Sequence, residues 1–208
     1  MVIDLNKEFN SLLSKIDSKN KPNLFLHVCC GPCSSGVLFR LISFFNVYLI
    51  FYNSNIDTYL EYQLRLYELK KYILKSNYNL DIIYSDYNHI DFLNYVRGLE
   101  NEPEGGKRCE RCFELRLKKS FSIAVNYIET NKLFNSKNYL CSTLSVSPHK
   151  NAELIYQIGC KICTGSAIDY LPSDFKKQDG YLKSINNSKK YMLYRQNYCG
   201  CEFSKCIK

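Results

Sequence analysis

No stretch of the sequence is apolar enough to cross a bilayer. The longest apolar run, residues 37–52, is interrupted by Arg40, Ser43 and Asn46, whereas a spanning helix needs about 20 mostly apolar residues. The opening MVIDLNKEFN carries Asp4 and Glu8 and lacks an apolar core, so no secretory signal is read and a cytoplasmic location is expected. Internal repeats, Pro- or Ser-rich linkers and low-complexity tracts are missing too, which leaves no marked domain boundary. Tryptophan is absent, so aromatic stacking platforms fall to the 18 tyrosines. With 208 residues, 46% hydrophobic and 23% charged, general disorder and fibrous repeats are excluded and one domain over 1–208 is expected. Within it, 1–22 reads as a helical lead-in and 174–208 as a C-terminal segment.

Cysteine is abundant. There are 11 cysteines, an odd number that excludes complete intramolecular pairing, and clustered thiols in a reducing compartment point to metal ligands or redox catalysis. The net charge of +8 favours a polyanionic partner. A solvated, lysine-rich surface, with 21 Lys to 7 Arg, has the same signature.

Apolar runs at 24–28, 47–52, 80–84 and 139–144 have strand length, and helical spacing links them, over 1–22, through Val37 to Phe45 and over about 57–75. Continuous apolar strands alternating with helices predict an α/β, three-layer fold: a mostly parallel sheet with helices on both faces. Ligands in such folds sit beyond the carboxyl ends of the strands. The loops there read CCGPCSSG, YNSNID, YSDYNH and STLSVSPHK, so the cysteine clusters gather at the C-terminal edge of the strands.

Three cysteine groups stand out: Cys29, Cys30 and Cys33; Cys109 and Cys112; Cys199 and Cys201. A Cys-x-x-Cys at a helix start meets unpaired N–H groups, which favours thiolate. The turn after Cys30 lets both of the first sulfurs face one cavity. Four thiolates from two separated pairs suit tetrahedral zinc or an iron–sulfur cluster and exclude magnesium or calcium. With only one clean Cys-x-x-Cys knuckle among them, iron–sulfur is favoured. Cys199 and Cys201 are too close for a relaxed disulfide, so they form either a labile, redox-active pair or two further metal ligands. Cys141, Cys160, Cys163 and Cys206 are weaker candidates: Cys160 and Cys163 have metal-ligand spacing but end an apolar helical run, where an ordinary buried thiol is the competing reading. An ATP-pyrophosphatase enzyme of similar architecture would carry an SGGxDS-like phosphate loop after the first strand, where this chain has CCGPCSSG.

The blocks HVCCGPC (27–33), YNSNI (52–56), EGGKRCERCFELRL (104–117), STLSVSPHKN (142–151) and the run from DFKK through LYRQNYCGC (174–201) resemble the QueH-type epoxyqueuosine reductases. The resemblance implies an oxidoreductase that reduces epoxyqueuosine to queuosine at the tRNA wobble position, the last step of queuosine biosynthesis, without cobalamin. It implies Cys29, Cys30, Cys109 and Cys112 as ligands of a [4Fe-4S] cluster. Cys199 and Cys201 match a catalytic, redox-active pair or ligands of an additional iron. Cys33 departs from members with a carboxylate there, and either group is able to hold that iron. The two-electron reaction then needs an external electron donor, and Tyr198 and Tyr52 are candidate proton donors, with a structural role the alternative for each. For the tRNA, Lys107, Arg108, Arg111, Lys176, Lys177, Lys189, Lys190 and Arg195 are candidates for a basic rim, with ordinary solvated charge the alternative for Lys189 and Lys190, and the planar donors of Arg195 and Gln196 suit a flipped nucleotide.

Overall fold

A computed structural model of the chain describes residues 3–205. The predicted lead-in forms α1 (Leu5–Leu13), capped by the Asp4 carboxylate and anchored through buried Leu5 and Phe9. The chain then alternates strands and helices: β1 (Asn23–His27), α2 (Gly31–Ser35), β2 (Asn46–Phe51), α3 (Tyr59–Lys75), β3 (Ile82–Tyr84), α4 (His89–Tyr95), α5 (Lys107–Thr130), β4 (Asn138–Ser142), α6 (Ala152–Cys163), β5 (Ile168–Tyr170) and α7 (Gly180–Lys190). Among the described residues no helix is long and apolar enough to cross a membrane.

All strand pairings are parallel, and the order is β3-β2-β1-β4-β5. Every residue of the central β1 is buried, because both of its faces are covered; this is why it reads as a continuous apolar run. Leu24 and Leu26 enter one core with Phe9 of α1 and Leu66 and Leu69 of α3, while Phe25 enters the other with Leu117 and Ala124 of α5 and Ile155 of α6. The three-layer α/β architecture is therefore the observed one.

The strand order reverses at β1. From β1 the chain moves outward to β2 and β3, then returns to place β4 and β5 on the other side. In an open parallel sheet the loops beyond β1 and β4 diverge there and leave a crevice.

Two local readings change. The helix expected through Val37 to Phe45 is replaced by a single 3-10 turn, Leu38–Arg40, and the regular helix lies earlier, at α2. The chain leaves α2 at Gly36, where a Cβ would lie 2.5 Å from the Gly180 carbonyl oxygen at the start of α7. A fifth strand, β5, was not expected; it has three residues and exposes Asp169 between buried Ile168 and Tyr170.

Candidate metal centre

The loop after β1 delivers the first cysteine group. Cys30 is extended, with φ −173° and ψ 168°, and α2 starts at the next residue. Gly31 lets α2 approach α3 closely, since a Cβ there would lie 2.5 Å from the Glu68 carbonyl oxygen. The Sγ atoms of Cys29 and Cys30 are 3.9 Å apart, and the sulfurs of Cys29, Cys30 and Cys33 all lie within 4.8 Å of one another. The three sulfurs thus form one cluster, but whereas Cys29 and Cys33 line the larger of two adjoining cavities, Cys30 is buried and borders neither. The Cys29 N–H donates to Thr143 Oγ1 at 3.3 Å, tying this loop to the one after β4. Gln196 Nε2 donates to Cys30 Sγ at 3.2 Å. Hydrogen bonding from Cys30 and Cys33 holds the Cys29 thiol well below the usual range. Its two donors move the other way, Cys30 to about 12 and Cys33 well above its ordinary value.

The second group sits in the first two turns of α5, as its spacing predicts. Gly105 adopts φ +89°, and its N–H donates to Cys109 Sγ at 3.3 Å. The expectation that this helix start favours thiolate is corrected. Burial raises both thiols, Cys112 to about 11, and outweighs the Gly105 N–H at Cys109 and the Arg116 charge at Cys112.

The third group is held by a clamp. Asp57 donates its N–H to the Gly200 carbonyl oxygen at 2.9 Å. Arg65 Nη1 donates to the Cys199 carbonyl oxygen at 3.0 Å, and Tyr198 Oη donates to Asp57 Oδ1 at 3.0 Å. Lys205 pairs with the same carboxylate. Gly200 makes the turn at φ +110°. Cys199 and Cys201 are both free thiols, and burial pushes Cys201 up to about 12.

These segments meet around two adjoining cavities. The smaller, about 110 Å³, is lined by Cys109, Cys112, Cys199 and Cys201. The larger, about 430 Å³, is lined by Cys29, Cys33 and Cys199, with Arg65, Arg116 and Arg195. Cys199 and Lys150 border both. Burial pulls the Lys150 ammonium down in pKa, but the charge of Cys199, Cys29 and Cys33 more than offsets it and keeps the lysine protonated.

The other predicted residues divide. Arg195 is exposed at the larger cavity, over the Tyr181 ring, and Gln196 lines it from a half-buried position. Arg108 is buried, donates to the Glu100 and Glu102 carbonyls, and stacks on Phe203 beside the smaller cavity. Tyr198 lines the larger cavity, whereas Tyr52 Oη is directed to Asp91 Oδ2 at 3.5 Å. Cys141 is buried against Ser173, Cys160 and Cys163 belong to α6, and Cys206 lies outside the described residues. Sequence reading missed Arg65, Arg116 and Lys150. The usable hint was helical spacing, which puts Arg116 one turn after Cys112 on the cysteine-bearing face of α5.

Soft sulfur donors surrounded by buried cations suit an anionic thiolate–metal group. Arg65 Nη2, Arg116 Nε and Gln196 Oε1 are buried polar atoms without a partner among the described residues, and all three residues line the larger cavity. Fold and site together define an α/β protein with a cysteine cluster able to hold a metal ion at the reversal of its parallel sheet. The sequence matches the model of the family described as Epoxyqueuosine reductase QueH over residues 24–206. Proteins named Epoxyqueuosine reductase QueH from Streptococcus pyogenes serotype M1, Staphylococcus epidermidis and Staphylococcus aureus are 38%, 34% and 36% identical to it, over 188, 207 and 190 residues. The alignments cover 88%, 94% and 88% of this chain and 71%, 84% and 76% of those relatives. The chain belongs to the Epoxyqueuosine reductase QueH family.

Proposed function

We propose that this chain is a cytoplasmic, cobalamin-independent reductase of epoxyqueuosine at the wobble position of tRNA. Two electrons and two protons remove the epoxide oxygen as water and leave queuosine. The observation that carries this reading is the convergence of three cysteine groups on adjoining cavities in a member of this family. Cys29, Cys30, Cys109 and Cys112 are the ligands we assign to a [4Fe-4S] cluster, with Cys33 reserved for an additional iron. Such a cluster, when bound, supplies electrons singly, and an iron with an open position acts as a Lewis acid.

The remaining work falls to the chain's own side chains. Cys199 and Cys201 are a dithiol able to give up two electrons and two protons, and an external electron donor restores it. Lys150 and Tyr198 hold protons at the larger cavity. Arg195 at its rim offers a planar donor to a flipped base or to a phosphate, and Gln196 braces Cys30. Anaerobic iron and sulfide analysis, paired with an assay on epoxide-containing tRNA, tests the proposal. Iron and sulfide with conversion to queuosine is the expected result; zinc alone, or no conversion, overturns it.

A further inference from the structure

Arg116 is 2% exposed and heads the largest fully buried side chains of the protein. Its Nη2 donates to Asn53 Oδ1, a neutral acceptor, and its Nε has no partner among the described residues. The other buried arginines are provided for differently. Arg65 has the Glu61 carboxylate at 2.7 Å, Arg40 lies over the Phe9 and Phe175 rings, and Arg108, whose Nε is also unpartnered among the described residues, gives its Nη1 to two carbonyls and lies over the Phe203 ring. Among the described residues no carboxylate comes within ion-pair distance of Arg116. A guanidinium so deeply buried is strongly unfavourable unless an anion faces it.

The missing anion has an obvious source. Arg116 lines the cavity that holds Cys29, Cys33 and Cys199, and it follows Cys112 by one turn of α5. It therefore shares a cavity with Cys29 and Cys33 and a helix with Cys109 and Cys112. We infer that Arg116 is the internal counter-ion of the thiolate–metal centre, offsetting the negative charge that Cys29 and Cys112 carry when metal is bound. It is a positioning residue that acts through the sulfurs. The inference rests on the reading above only in requiring that these thiolates hold a metal; it is independent of the tRNA substrate.

Charge and shape are separable here. Arg116→Lys keeps the cation, whereas Arg116→Gln keeps a hydrogen-bond donor for Asn53 and removes it. Apoprotein is titrated anaerobically with Co(II) alone, followed by thiolate-to-cobalt charge-transfer absorption. We expect Arg116→Gln to weaken Co(II) binding about tenfold or more and Arg116→Lys to stay within about threefold of the unsubstituted protein. Without metal, Arg116→Gln should melt no lower than the unsubstituted protein, because it removes a buried charge that lacks its anion. In iron-loaded protein the midpoint potential should move negative in Arg116→Gln and hold in Arg116→Lys, a difference a scaffold role would not produce. Equal Co(II) affinity in all three proteins, equal loss in both variants, or failure of both to fold would assign Arg116 to the scaffold and overturn the inference. Preserved cobalt behaviour with no turnover on tRNA would instead overturn the substrate reading alone.

Discussion

The His27 imidazole and the Ser142 hydroxyl lie 2.7 Å apart across the β1–β4 seam. On the far side of the ring, Nε2 is 3.1 Å from the Tyr52 carbonyl oxygen. A carbonyl only accepts, so Nε2 carries the hydrogen and Nδ1 accepts from Ser142. Ser142 Oγ in turn accepts from the Leu144 N–H at 3.1 Å. One neutral ring thereby joins the carboxyl ends of β1, β2 and β4.

Burial, reinforced by the Arg116 charge, lowers the His27 pKa from 6.5 to about 3. The unfolded chain takes up this proton below about 6.5 and the folded chain does not, so the contribution of His27 is full above that pH and shrinks as pH falls toward 3. Urea unfolding of the apoprotein should show a loss of up to about 1.4 kcal/mol per pH unit across that window, relative to His27→Gln. Parallel pH profiles for the two proteins would contradict this.

Gly200→Ala should damage the site without unfolding the protein. The new Cβ would sit at φ +110°, 3.0 Å from Arg65 Nη1. Strain of this kind costs about 1–3 kcal/mol, and it falls on the turn that presents Cys199 and Cys201. Thermal unfolding and metal content measure it; unchanged values in both would show that the turn tolerates a side chain.

Asp57→Asn should loosen the clamp on the third cysteine group. The carboxyl is held below its usual range because hydrogen bonds from Lys205 and Tyr198 outweigh burial, and the amide cannot replace the ion pair. Hydrogen exchange over residues 198–205 should quicken at neutral pH while the exchange of β1 stays put. Unaltered protection in the tail would place its anchor elsewhere.

Cys199→Ser should keep its iron and lose turnover, because we assign this sulfur to electron delivery and the cluster to other ligands. Cys33→Asp should retain any additional iron, since carboxylate is a competent oxygen ligand, whereas Cys33→Ala should lose it. Metal analysis beside the activity assay separates these outcomes. Full activity of Cys199→Ser would remove the pair from the reaction.

Much of the scaffold was legible because parallel, doubly covered strands demand apolar residues on both faces; Leu24, Phe25 and Leu26 announce β1 directly. β5 was not, since three residues with Asp169 in the middle leave no pattern to read. The misplaced helix near Val37 depends on Gly36 meeting Gly180, a contact made far along the chain. In the site, spacing identified the cysteines, but the depth of Cys112 was invisible to it, and with that depth went the direction of its acidity. Arg65 and Arg116 look like ordinary helical charges until tertiary structure puts them beside sulfur. Gln196 could be seen as a polar side chain near the third group, but not that it donates to Cys30.

The sulfurs around the two cavities come from segments as distant in sequence as Cys29 and Cys201. A metal group held by the assigned ligands, as far apart as Cys29 and Cys112, would act as a cross-link closing a long loop, restricting the unfolded chain as well as joining the folded one. Resistance to heat should then track metal occupancy, and oxidative release of the ion would weaken the whole sheet along with its chemistry.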